Sequence, residues 1–180
     1  MRKKVEIYVE IPEGIKVEIN GQEVSVKGPA GELKRKFESG IKIEIKENKV
    51  YATHPNGTKR EKKMAHTIAA HISNMMKGAK EKFEYRLRVC AAHFPITANI
   101  EGKKLRIKNF LGESKDREAR ILENVEVKVE KDLITVSSNN LEAAGQTAAN
   151  FESATKVKAR DRRVFQDGIF IIEKPGRVVE

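Results

Sequence analysis

The sequence predicts an α+β protein of two tandem duplicated domains, residues 1–82 and 83–180, each an antiparallel sheet with one helix packed on it. Three observations predict it. Short runs alternate apolar and charged residues with period two, as half-buried strands do. Each group of such runs is followed by a single stretch with helical spacing. Glycines also recur at a fixed offset: Gly21 and Gly102 are 81 residues apart, and so are Gly31 and Gly112.

Taken in order, Ile15-Lys16-Val17-Glu18-Ile19 is the first clear alternating run, Asn20-Gly21 a tight hairpin turn, and Val24-Ser25-Val26 the return strand. Gly28-Pro29-Ala30-Gly31 is turn chemistry. Ile41-Lys42-Ile43-Glu44-Ile45 alternates again, and Glu47-Asn48 turns the chain into Val50-Tyr51-Ala52. Thr58 and Glu61 then have the spacing of a capping box. Met64, Ile68, Ile72 and Met75, with Ala65 and Ala69, mark a helix over about 59–78, with Lys77-Gly78 as its stop.

The second half repeats this order. Residues 96–100 form a strand, Glu101-Gly102 a turn, and Leu105-Arg106-Ile107 the return. Val125-Glu126-Val127-Lys128-Val129 follows Ile41-Lys42-Ile43-Glu44-Ile45 at an offset of 84, and Asn140 follows Asn56 at the same offset. One three-residue insertion between Gly112 and Val125 reconciles 81 with 84. A second helix is expected over about 141–156. No Pro/Ser/Gly-rich linker separates the halves, so a strand over 83–89 is expected to lead straight into the second.

Composition narrows the function. The chain holds 36 Lys plus Arg against 26 Asp plus Glu, a net +10, which points to a polyanionic partner, nucleic acid before an anionic membrane. A single cysteine, Cys90, cannot staple a domain and reads as a small core residue. No apolar run approaches the roughly 20 residues of a membrane-spanning helix. The expectation is a cytoplasmic protein without a membrane partner. Catalytic chemistry finds little support. His66 and His71 lie five apart, whereas paired helical metal ligands want four. One of them is expected to face the sheet and the other solvent. Gly28-Pro29-Ala30-Gly31 leads into a strand, not a helix, so it is no phosphate loop. The reading is no enzyme, no metal, no cofactor and no small-molecule substrate.

The densest cationic stretch is Lys156-Val157-Lys158-Ala159-Arg160-Asp161-Arg162-Arg163, with five cations against one carboxylate. If extended, it would place Lys156, Lys158, Arg160 and Arg162 on one side, spaced to meet successive phosphates. A solvated charged loop is the bland alternative, but the run abuts Phe165-Gln166-Asp167-Gly168-Ile169-Phe170, a turn flanked by aromatics, which suggests order. The hairpin Lys103-Lys104-Leu105-Arg106-Ile107-Lys108 is next densest. Residues 1–80 carry net +7 and residues 81–180 net +3, yet local density outweighs domain totals. Aromatic residues are 6% with no Trp, so contacts should go mainly to phosphate and ribose.

Several motifs resemble one family. Val26-Lys27-Gly28-Pro29-Ala30-Gly31-Glu32-Leu33 resembles the first-domain hairpin of large-subunit ribosomal protein six. Asn109-Phe110-Leu111-Gly112-Glu113 is similar to its second-domain counterpart, and Ala144-Gly145-Gln146-Thr147-Ala148-Ala149-Asn150 to the start of its second helix. Arg163-Val164-Phe165-Gln166-Asp167-Gly168-Ile169-Phe170 resembles the tail of the archaeal and eukaryotic branch, and the compact length an archaeal member. The resemblance implies a structural constituent of the large ribosomal subunit, near the sarcin–ricin loop and the base of the factor-binding stalk. Its partners would be large-subunit rRNA and neighbouring ribosomal proteins, with translational GTPases nearby. Carried over by segment, RNA contacts would come from Gln146, Lys156, Lys158, Arg160, Arg162 and Arg163, with Lys108 and Asn109 beside them. Two alternatives are a free-standing RNA-binding regulator or chaperone and a small enzyme built on His66 or His93.

Overall fold

Alternation sets the strands. In β1 (Lys3–Glu10), Val5, Ile7 and Val9 pack on the core while Glu6, Tyr8 and Glu10 face out. The computed structural model describes residues 3–179, in two compact units that divide between Lys82 and Phe83.

In the first unit β1 pairs with β6 (Lys49–Gly57), which pairs with β5 (Lys42–Lys46), all antiparallel. A second three-stranded sheet comprises β2 (Lys16–Asn20), β3 (Glu23–Gly28) and β4 (Gly31–Lys36) in that order. Turn chemistry fixes the registers. Gly21 takes φ +65 in the loop closed by the Asn20–Glu23 pair, and Glu47 and Asn48 both take left-handed φ, 46 and 63, between β5 and β6.

Helix α1 (Lys59–Lys80) begins at the expected capping box, in which Thr58 and Glu61 satisfy each other's backbone N–H groups. Its buried side chains, those of Ala65, Ile68, Ala69, Ile72, Met75, Met76 and Ala79, cover an arc of roughly 120°. That arc is wide enough for α1 to touch both sheets, so each unit's β-structure divides into two layers around its helix. Met64, counted in the apolar stripe from sequence, falls just beyond this arc and is 41% exposed. Gly78 does not stop the helix. It lies inside α1 without a positive φ, and the chain leaves only at Glu81, whose N–H bonds to the Lys77 carbonyl at 2.9 Å.

The second unit repeats this plan with β7 (Phe83–Cys90), β8 (Thr97–Glu101), β9 (Lys104–Lys108), β10 (Arg117–Arg120), β11 (Glu126–Glu130), β12 (Leu133–Ser138) and α2 (Leu141–Ala154). Strands β8, β9 and β10 form the small sheet, and α2 touches both β10 and the large sheet. Helix α2 ends two residues short of the expected 156. One addition has no counterpart in the first unit. After α2 the chain returns as β13 (Gly168–Lys174) and pairs with the edge of β7, followed by a short β14 (Arg177–Val178). The large sheet therefore has order β11-β12-β7-β13-β14, and residues 155–167 are drawn across the end of α2.

Candidate nucleic-acid interface

The segment that follows α2 is pinned at its start. Asn140 caps the other end of the helix by accepting from the N–H groups of Glu142 and Ala143. At the C-terminus, the Thr155 hydroxyl reaches the carbonyls of Phe151 and Glu152 at 3.3 and 3.2 Å, and accepts the Ile169 N–H at 2.9 Å. Arg117 does more. Its Nη1 donates to the carbonyls of Ala154 at 2.8 Å and Lys156 at 3.3 Å, while Nε and Nη2 grip the Glu113 carboxylate at 2.8 and 2.6 Å. The guanidinium lies 4.2 Å from the centroid of the Phe110 ring. A cation thus meets the negative end of the helix and satisfies a carbonyl that the helix leaves orphaned. The hydrogen bond from Arg117, and more distantly the charge of Arg160, hold the Glu113 carboxyl below its ordinary range. Val157, packed in the second core, completes this anchor.

The far end is pinned as firmly. The Asp167 side chain is 1% exposed, and its carboxylate accepts the N–H groups of Ala92 and His93 at 2.7 and 2.9 Å and meets His93 Nδ1 at 2.6 Å. Burial alone would raise the Asp167 carboxyl. The backbone N–H and the ring of His93, with the Ala92 N–H, outweigh that and hold it low. The His93 ring stacks on Phe165 at 4.8 Å, and Arg160 lies over Phe165 at 4.8 Å. Phe165 is thus held against both groups.

Between the two anchors the backbone is not extended. Ala159 takes a left-handed φ of +55, and residues 161–165 close a turn in which the Asp161 carbonyl accepts from Phe165 at 2.9 Å. The expected one-sided row of cations therefore does not form. Lys156 and Arg162 line a cavity of about 710 Å³ between the end of α2 and the returning chain. Lys158 lies instead in a separate groove with Arg117 and Glu118. Exposure and lack of counter-charge survive the correction. All five cations are exposed, and among the described residues Lys156, Lys158, Arg160 and Arg162 have no carboxylate partner within ion-pair distance. Arg163 pairs with Asp161 at 3.3 Å.

The other expected contacts are spread around this segment. Gln146 is exposed on α2, roughly 12 Å along the axis before Ala154, and donates to Asn150 at 3.0 Å. Gln146, Asn150 and Ala154 share a helix face at spacing four. Asn150 in turn donates to the Arg120 carbonyl at 3.0 Å, which places this face along β10. Asn109, with φ +58, donates to the Pro95 carbonyl at 3.0 Å and precedes Phe110, the ring beneath Arg117. Lys108 is exposed at the end of β9. The rest of that hairpin contributes little free charge. Lys103 pairs with Glu123, Lys104 with Glu118, and Arg106 with Glu101.

Sequence reasoning missed Arg117, Thr155 and the Asp167–His93 pair. Asp167 stood in the aromatic-flanked turn that signalled order, but nothing local tied it to His93, 74 positions away. Of the four histidines, His66 is exposed and His71 is half-buried, 6.2 Å from Phe37. Among the described residues no hydroxyl or thiol bonds to the second ring nitrogen of His93, and no group of His, Cys, Asp or Glu could hold a metal. Cys90, expected in the core, is half-buried on the cavity wall. None of the described helices is long and apolar enough to cross a membrane.

Comparison with known proteins bears on both units. The sequence model of the ribosomal protein L6 family matches residues 11–82 and again 94–168. A large ribosomal subunit protein uL6 of Methanococcus vannielii is 47% identical over 172 residues, 95% of this chain and 94% of its own length. Its counterpart in Methanosarcina mazei is 45% identical over 175 residues, covering 97% and 99%. That of Methanobrevibacter smithii is 46% identical over 167 residues, covering 92% and 94%.

Proposed function

The chain belongs to the ribosomal protein L6 family, of archaeal type, and from that membership we propose that it is a structural constituent of the large ribosomal subunit that holds large-subunit rRNA through its second unit. The observation that carries the reading is the segment 156–163, anchored at both ends yet leaving four cations with no carboxylate at ion-pair distance among the described residues. A solvated loop needs no such anchoring. A phosphate-binding edge does, because cations held in place lose less freedom on binding than floppy ones.

In this reading Lys156, Lys158, Arg160, Arg162 and Arg163 neutralise phosphates. Gln146 extends the contact along α2, and Lys108 and Asn109 extend it beyond the Phe110–Arg117 stack. Because the cations point to two sides of the segment, they fit a folded RNA with backbone on both sides better than one strand running past. The site on the subunit is near the sarcin–ricin loop and the base of the factor-binding stalk, beside neighbouring ribosomal proteins and where translational GTPases dock. The work done there is positioning, without cofactor, metal or small-molecule substrate. Sedimentation tests the reading. Tagged full chain in an archaeal lysate is expected to travel with large subunits in moderate salt. Recovery in the light fractions alone would overturn it.

A further inference from the structure

The cavity beside Lys156 has a chemistry that phosphate binding does not use. Its volume, about 710 Å³, lies in the range of small-molecule sites. Two aromatic rings line it, and they differ. Phe165 is half-buried and already packed on His93 and Arg160. Phe170 is 38% exposed, and its ring rests on Gly168, where a Cβ would meet it at 3.2 Å. The sheet therefore holds an aromatic ring in place at the cavity without covering it.

The wall also carries polar and charged residues. Gln166 donates one N–H to the Arg163 carbonyl at 3.2 Å, which leaves its amide oxygen and second N–H free. Glu152, exposed near the end of α2, lines the helix side. A carboxylate there repels a phosphate from the interior but accepts from an exocyclic amino group. Lys156 and Arg162 flank the same space.

We propose that this cavity receives one unstacked base of the rRNA, packed on Phe170, with its pairing edge read by Gln166 and Glu152 and its flanking phosphates held by Lys156 and Arg162. Acceptors on the wall favour a base with an exocyclic amino group, adenine, cytosine or guanine, over uracil. Single-stranded loops supply such bases, and an aromatic side chain replaces the stacking they have lost. The inference rests on the rRNA reading of the same face, and it adds base recognition to what is otherwise backbone contact.

Chemical probing of a large-subunit rRNA transcript bound to the full chain tests it. Dimethyl sulfate, with kethoxal for guanine, is expected to find one unpaired adenine, cytosine or guanine protected by wild type and reactive again with Phe170→Ala or Gln166→Ala. The hydroxyl-radical footprint on the backbone should persist in both variants. Phe170→Ala should weaken binding roughly 5- to 150-fold with an unchanged salt slope, since no phosphate contact is lost. A backbone footprint with no loop base protected, or protection that survives both variants, would overturn the base pocket and leave the rRNA reading standing. No wild-type footprint at all would overturn both. Gln166 is exposed, so its variant keeps the test intact if Phe170→Ala does not fold.

Discussion

Arg117 and Asp167 organise the second unit's outer segment although neither is among the residues proposed to touch RNA. Arg117 closes the end of α2, the Lys156 carbonyl and Glu113 with one planar fork. Replacing it with Ala strands carbonyls and a carboxylate together. We expect Arg117→Ala to cost about 1–3 kcal/mol in urea unfolding, and Arg117→Lys to recover only part, because an ammonium lacks the fork. An unchanged urea midpoint would show that the helix end is held by Thr155 alone. For Asp167 the consequence is pH dependence. Its carboxyl titrates below the ordinary 3.8 in the folded protein. That contribution to stability is complete above the unfolded value of about 3.9 and is lost as pH falls through the lower folded value. Asp167→Asn should lower stability at neutral pH and flatten the loss on acidification below about pH 4. Urea midpoints from pH 7 to pH 3 would reveal it, and parallel curves for the two proteins would exclude Asp167 as the source.

At the scale of elements, local chemistry was legible and long-range ties were not. The β5–β6 turn at Glu47-Asn48, the capping box at Thr58 and the strand through Val89 all follow from residues adjacent in sequence. The segment 156–163 does not meet the condition for a one-sided row, an extended backbone, because its shape is set from elsewhere. Arg117 lies 39 positions from Lys156, Asp167 acts through His93, and a left-handed Ala159 carries no sequence mark. Gly78 misled for the opposite reason. A glycine near a helix end suggests a stop, but here the hairpin of β3 and β4 needs α1 to continue. Ala30 donates to the Ala79 carbonyl at 2.8 Å, and a Cβ at Gly28 would collide with that same carbonyl. Gly28→Ala should therefore destabilise the first unit by about 1–3 kcal/mol, as overpacking does. Thermal unfolding would register it, and a wild-type midpoint would show that the hairpin shifts freely.

For the whole molecule, duplication explains the fold and asymmetry explains the function. Both units place a helix between two sheets, yet only the second returns after its helix to add β13 to the edge of β7. The charge follows a related division. Several strand lysines of the first unit are matched with carboxylates, as in Lys27–Glu18, Lys36–Glu38 and Lys49–Glu10. The net +7 of residues 1–80 already counts those pairs, and most of it lies on α1, which carries Lys59, Arg60, Lys62, Lys63, Lys77 and Lys80 against Glu61. The central claim is that the anchored segment after α2 binds rRNA phosphates. Its most direct test is the salt dependence of full-chain binding to a large-subunit rRNA transcript, for wild type and for the variant with Lys156, Lys158, Arg160, Arg162 and Arg163 all replaced by Ala. Each lost phosphate contact should reduce the slope of log K against log salt by roughly 0.7 to 0.9, for a total fall of about 3.5 to 4.5. A variant that folds and keeps the wild-type slope would contradict the claim.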